Sequence, residues 1–139
     1  MFVLCGELSA QSSTSAKEDT RFVAVDIFVD SKEKPLAAYQ LEFSVTNNAA
    51  KIVGIEGGEH AAFAEPPFYD KQAMQRERVI IAAFSTAKEL PAGKTRVATI
   101  HLQINDTNEL KIETKLATAA SADGNKIASP ILTTKQRAK

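Results

Sequence analysis

The residues of this chain that can do acid, base, nucleophilic or metal chemistry are few and scattered. His60 follows Glu59, with Glu65 in the same segment, but one imidazole among loosely spaced carboxylates lacks the fixed ligand spacing of a zinc site. Asp106, Asn108 and Glu109 match a fragment of a calcium loop. Calcium takes about six oxygens or more, and the Gly and later Glu of a helix–loop–helix site are absent, so the segment reads as a turn. No Gly-x-Ser-x-Gly elbow is present, and the single Cys5 lies in the terminal stretch. Asp26, Glu42, Glu56 and Asp70 supply carboxylates whose convergence only the fold decides, and scattered surface acids account for them equally well. The chain is therefore read as a non-enzyme, with no cofactor and no metal site.

Sugar binding uses a different chemistry, the stacking of sugar rings on exposed aromatic platforms. Tryptophan is absent. Tyr39 and Phe43 are committed to a buried face by their spacing, which leaves Phe63, Phe68 and Tyr69 in a proline-containing loop. Phe68 and Tyr69 are the candidate carbohydrate contacts.

The elements that position these residues are strands. From Arg21 to Val29 and from Leu36 to Val45 two apolar runs flank a polar turn, Asp30-Ser-Lys-Glu-Lys34. In the second run Tyr39, Leu41, Phe43 and Val45 alternate with Gln40, Glu42, Ser44 and Thr46, which puts one set on a dry face and the other on a wet face. A one-sided strand of this kind needs a second layer to cover it. Ala49–Gly57 reads as a third strand ending on Gly57-Gly58. Glu59–Asp70, with Pro66-Pro67, is a long connection, and Asp70–Arg78 holds a single helical turn at most. Val79–Phe84 is apolar on both faces and reads as a buried central strand. In Arg96–Ile104 the residues Ala98, Ile100, Leu102 and Ile104 share one face and Val97, Thr99, His101 and Gln103 the other. Asn105–Asn108 turns the chain. Alternation resumes at Leu110–Leu116, and Asp123-Gly124-Asn125 leads into a last strand around Ile127–Thr133. Nowhere do apolar residues hold a helical period for three turns. Seven or more short strands make an all-β antiparallel sandwich, of the jelly-roll or immunoglobulin-like kind.

The totals agree. A chain of 139 residues fits one domain large enough to build a core without disulfides. Seventeen basic and seventeen acidic residues cancel, and the absence of a basic stripe argues against a nucleic-acid partner. No apolar run reaches the roughly eighteen residues that span a bilayer. Residues 1–18 form a flexible N-terminal segment with two readings: Met1-Phe-Val-Leu-Cys5 as the remnant of an export signal, or an ordinary terminal stretch leading into a Ser/Thr-rich linker. The sandwich then covers 19–134, and Lys135-Gln-Arg-Ala-Lys139 is a solvated basic tail.

The order of features from Asp19 to Ile104 resembles a cohesin domain, the module that holds dockerin-bearing enzymes in cellulose-degrading assemblies. The matching stretches are Asp19-Thr-Arg-Phe-Val-Ala-Val, Pro35-Leu-Ala-Ala-Tyr-Gln-Leu-Glu-Phe-Ser-Val, Ala50-Lys-Ile-Val-Gly-Ile-Glu-Gly-Gly58, Val79-Ile-Ile-Ala-Ala-Phe84, and Gly93 leading into Val97–Ile104. The resemblance covers about two thirds of the chain and falls mainly on core and turn positions, which the wider superfamily of cohesins and cellulose-binding modules shares. It implies a nine-stranded flattened jelly roll, secretion or cell-surface display, and a dockerin-like protein partner. In that family the strands matching Leu36–Val45 and Arg96–Ile104 lie side by side, so Ala38, Gln40, Glu42, Thr99, His101 and Gln103 are expected in one partner-binding patch. Ala38 and Gln40 stand where dockerin binders carry polar or acidic residues, and Ser85-Thr-Ala87 stands where they carry acidic ones. A carbohydrate-binding module, or a structural module of a secreted protein, are the alternatives.

Overall fold

A computed structural model of the chain describes residues 20–104 and 109–137. The signal-remnant stretch, Cys5, Asp19, and the Asn105–Asn108 turn lie outside the described residues; of the calcium-loop fragment only Glu109 is described, its carbonyl accepting from Asn47 Nδ2 at 2.6 Å. Seven strands follow in chain order: β1 (Arg21–Asp30), β2 (Ala38–Val45), β3 (Ala50–Gly57), β4 (Arg78–Phe84), β5 (Lys94–Ile104), β6 (Ile112–Ala120) and β7 (Ile131–Gln136). They form two antiparallel sheets, one in the order β3-β5-β1-β7 and the other β4-β2-β6. Between β3 and β4 lie two single 3₁₀ turns, Ala61–Phe63 and Lys71–Ala73, which His60 and Asp70 cap by accepting the N–H of Ala62 and Gln72. The fold is the all-β sandwich that the alternation predicts.

The core lies between the sheets. Val25, Ile27 and Val29 of β1 and Ile100, Leu102 and Ile104 of β5 face Tyr39, Leu41, Phe43 and Val45 of β2 and Val79 and Ile81 of β4, all buried. Burying each such side chain is worth about 1.5–3 kcal/mol, which is why a strict period of two, once present in β2, fixes the register of the whole sheet. Tyr39 carries its hydroxyl into this layer and donates it to Val97 O of the opposite sheet at 3.4 Å. Burial pushes that hydroxyl's pKa well above the ordinary tyrosine value.

Four expectations need correction. β4 is an edge strand, and the outward half of its apolar run is exposed. In β5 the alternation breaks: Ile27 pairs with Ala98 and Phe28 with Arg96, so Val97 is an inserted residue. The bulge turns Val97 into the core, where it is fully buried. The last strand starts later than the sequence suggests, with Ile127 joined instead to Ala119 by a 2.9 Å hydrogen bond. Finally, Lys135 and Gln136 belong to β7, and the Arg137 N–H bonds Ala24 O at 2.9 Å, so that part of the basic tail is built into the sheet.

β7 also overhangs the core. Directly paired residues share a face. Thr134 and Gln136, opposite the fully buried Ile27 and Val25, therefore point inward, yet both are exposed. The β4-β2-β6 sheet does not reach far enough to cover them.

Candidate functional site

The expected single patch does not form, because β2 and β5 lie in different sheets. Its six residues divide between the two outer faces of the sandwich, three on each, and the faces differ in chemistry.

Thr99, His101 and Gln103 lie on the outer face of the β3-β5-β1-β7 sheet. Thr99 is 0% exposed and forms the centre of a polar network. Its hydroxyl donates to Asp26 Oδ1 at 2.8 Å and accepts from Arg96 Nη1 at 2.9 Å and Arg137 Nη2 at 3.4 Å. Arg137 Nε contacts both Asp26 oxygens, at 3.1 and 3.2 Å. The Arg96 guanidinium also reaches Gly57 O at 3.2 Å, and His101 Nε2 pairs with the Glu56 carboxylate. The donors and acceptors here satisfy one another, so this face is a structural clasp over β1, β5 and the end of β7. Burial pushes the Asp26 carboxyl up. The Arg137 and Thr99 hydrogen bonds and the charges of Arg137 and Arg96 outweigh that and hold it below its ordinary value of 3.8.

A pH dependence follows. A carboxyl whose folded pKa is depressed contributes stability above its unfolded pKa and loses it as pH falls through the folded value. Arg137→Leu is therefore expected to lower the denaturant midpoint at pH 7, with a smaller difference from the parent at pH 2. Urea titrations at the two pH values check this, and an equal difference at both would show that the pair contributes nothing.

Ala38, Gln40 and Glu42 lie on the outer face of β4-β2-β6, in three of the four rows that register sets across it, the fourth being Arg78, Ser44 and Glu113. Phe84, Ala38 and Ala120 stand side by side, then Ala82, Gln40 and Thr118, then Ile80, Glu42 and Lys115. The Glu42 carboxylate takes the Arg78 Nε at 2.5 Å at the polar end, and that hydrogen bond holds its pKa below the usual carboxylate range. At the other end Phe84 is 66% exposed and its ring stacks on Phe68, itself 70% exposed, with centroids 6.4 Å apart and planes 14° from parallel. Ile80 is exposed on the same strand. Ala61, Ala62, Pro66 and Pro67 join the two rings in lining a shallow pocket of about 310 Å³.

Local chemistry fixes Phe68 in place. Its N–H and C=O pair with Ala82 O and N on the free edge of β4, at 2.8 and 3.1 Å. The preceding Pro66-Pro67 cannot donate to a ladder, which confines the added pairing to one bridge. Gly57 and Gly58 let the loop fold back tightly, with Gly58 N–H bonded to Phe63 O at 2.7 Å. The other aromatic candidates go elsewhere. Phe63 is buried against Tyr39, with ring centroids 5.6 Å apart, and Tyr69 packs partly buried on the core. Phe68 thus pairs with Phe84 and not with Tyr69. Sequence reasoning missed Phe84 because a run apolar on both faces looks the same whether its second face is covered by protein or left to a partner.

Compared with family models, with curated proteins and with solved structures, the chain matches none. The site's chemistry has to be argued from its own residues.

Proposed function

We propose that this sandwich is a non-catalytic binding module that takes a protein partner on the outer face of β4-β2-β6. The observation that carries the reading is the Phe68–Phe84 pair. Two large rings stand exposed and stacked at the end of the face where the outward neighbours Ala38, Ala82 and Ala120 are small, with Ile80 exposed further along β4. At these exposures each ring leaves on the order of 100 Å² of apolar area uncovered, about 2.5 kcal/mol apiece at roughly 25 cal/mol per Å² if a partner buries it. Aromatic anchors with a polar rim are the usual anatomy of a protein interface, and Gln40, Glu42, Arg78 and Lys115 supply the rim. The resemblance to cohesins supports a secreted or cell-surface setting and a dockerin-like ligand.

The test is a pull-down from the secreted proteins of the source organism with the parent and with Phe68→Ala/Phe84→Ala, each with and without a calcium chelator. A protein retained by the parent and lost from the double variant at unchanged unfolding temperature supports the reading. Loss on chelation adds the dockerin-like class. A protein held equally by both would place the interface elsewhere.

The near-parallel rings favour one second reading, a carbohydrate platform built from Phe68 and Phe84. Retardation of the parent, and not of the double variant, in gels containing cellulose, xylan or chitin fragments would support it.

A further inference from the structure

We infer that the outer edge of β7 pairs with β7 of a second copy of this chain, joining two β3-β5-β1-β7 sheets into one continuous sheet. The inference is independent of the partner proposed for the opposite sheet.

The edges of the sandwich are treated unequally. On β3, Ile52 accepts the Gln75 N–H at 2.7 Å and donates to Arg76 O at 2.8 Å, so a returning segment covers that edge. On β4 the Phe68 bridge covers the middle of the strand. On β6 the turn at Lys126 and Ile127 bonds the last residues, and the exposed Glu113 and Lys115 charge the rest. Covering and charging are the devices that keep edges from pairing with other chains. β7 has no covering segment among the described residues and a single charged side chain, the exposed Lys135. It is exposed along almost its whole length and rich in threonine, a strong strand former.

Its geometry is self-complementary. The Arg137 N–H points at Ala24 O of β1, so by alternation the N–H and C=O groups of Leu132, Thr134 and Gln136 point away from the sheet. A twofold axis perpendicular to the sheet at Thr134 sets Thr134 against Thr134 of the other copy and Leu132 against Gln136. Each such pair exchanges two hydrogen bonds in an antiparallel ladder. The same register keeps every side chain on its proper face. Lys135 comes opposite Thr133, so the two copies' lysines are diagonal neighbours about 7–8 Å apart rather than face to face, and their long stems turn out to solvent. The exposed Ile131 comes opposite the aliphatic stem of Arg137. A chain whose seventeen basic and seventeen acidic residues cancel offers no long-range repulsion to this approach.

The test uses the whole chain, followed by sedimentation over rising concentration. The parent's mass is expected to climb from 15.0 kDa toward twice that value. Thr134→Asp and Thr134→Lys place like charges face to face at the axis, so each alone should remain at the monomer mass with an unchanged unfolding temperature. An equimolar mixture of the two should regain the dimer. Should either charged variant fold poorly, Thr134→Pro removes an outward N–H that β1 does not use and should also abolish association. A parent that stays monomeric at every concentration, or variants that associate as the parent does, would overturn the inference. Phe68→Ala/Phe84→Ala should leave the dimer untouched, which keeps this result separate from that of the proposed partner site.

Discussion

Phe43→Asp is expected to unfold the domain. Phe43 is 0% exposed at the centre of β2, with β4 on one side and β6 on the other. Among the described residues its inward neighbours are the apolar Leu41, Val45, Val79 and Ile81 and, directly across on β6, the uncharged Thr114, so none of them offers a cation. A carboxylate there would lose its hydration without gaining a partner, and the cavity left by the lost ring would add to the penalty. Removing the ring alone costs about 3–5 kcal/mol and an unpaired buried charge costs more, against a total stability of about 5–15 kcal/mol for an ordinary domain. Loss of the folded circular-dichroism signal and of dispersed amide resonances checks it. Gln40→Asp, on the outward face of the same strand, is the control and should change stability by no more than about 0.5 kcal/mol. A tolerated Phe43→Asp beside a disruptive Gln40→Asp would mean that the strand faces are reversed.

Gly57→Ala is expected to damage both stability and binding through crowding rather than backbone strain. A Cβ on Gly57 would lie 2.1 Å from Ala64 O and 2.5 Å from Glu65 O, and one on Gly58 would lie 2.2 Å from Arg96 O. These are backbone atoms, so no side chain can swing aside. The loop that carries Pro66, Pro67 and Phe68 would have to lift off β3. The expected cost is about 2–4 kcal/mol, read as a lowered urea midpoint, together with loss of whatever the Phe68–Phe84 pair retains in the pull-down. Gly93→Ala provides the comparison, because Gly93 has φ +79° with open space where its Cβ would go. Left-handed strain alone costs about 1–2 kcal/mol and should leave binding intact. A Gly57→Ala protein as stable as the parent would mean that the loop has room to spare.

What was legible in the sequence was whatever the two-residue period encodes locally. β2 announces its register because its inward and outward residues differ sharply, and β1 and β3 end where a polar turn and a glycine pair say they should. Three things were not legible, each for a physical reason. The run Arg78–Phe84 shows only that both faces are apolar, and Phe84 is exposed because the second face has no covering layer. The bulge at Val97 depends on β1 and β5 pairing out of step, a relation between residues far apart in the chain. β7 lacks strong alternation because it overhangs the core, so Thr134 and Gln136 face inward without being buried. The candidate site suffered most. Its halves were joined by a strand adjacency taken from resemblance, whereas β2 and β5 are separated by the thickness of the sandwich.

The pairing of the first strand with the last also decides how the domain bears load. β1 begins where β7 ends, so the chain enters and leaves the sheet at the same corner, beside Ala24 and Arg137. A pull on the two flanking segments strains the β1–β7 ladder from that corner inward, one hydrogen bond after another, and never the whole ladder together. The Asp26–Arg137 ion pair, next to the corner, is the first firm catch in the path. Tension of this kind therefore loads the short β1–β7 ladder before the longer β1–β5 ladder and the core behind it.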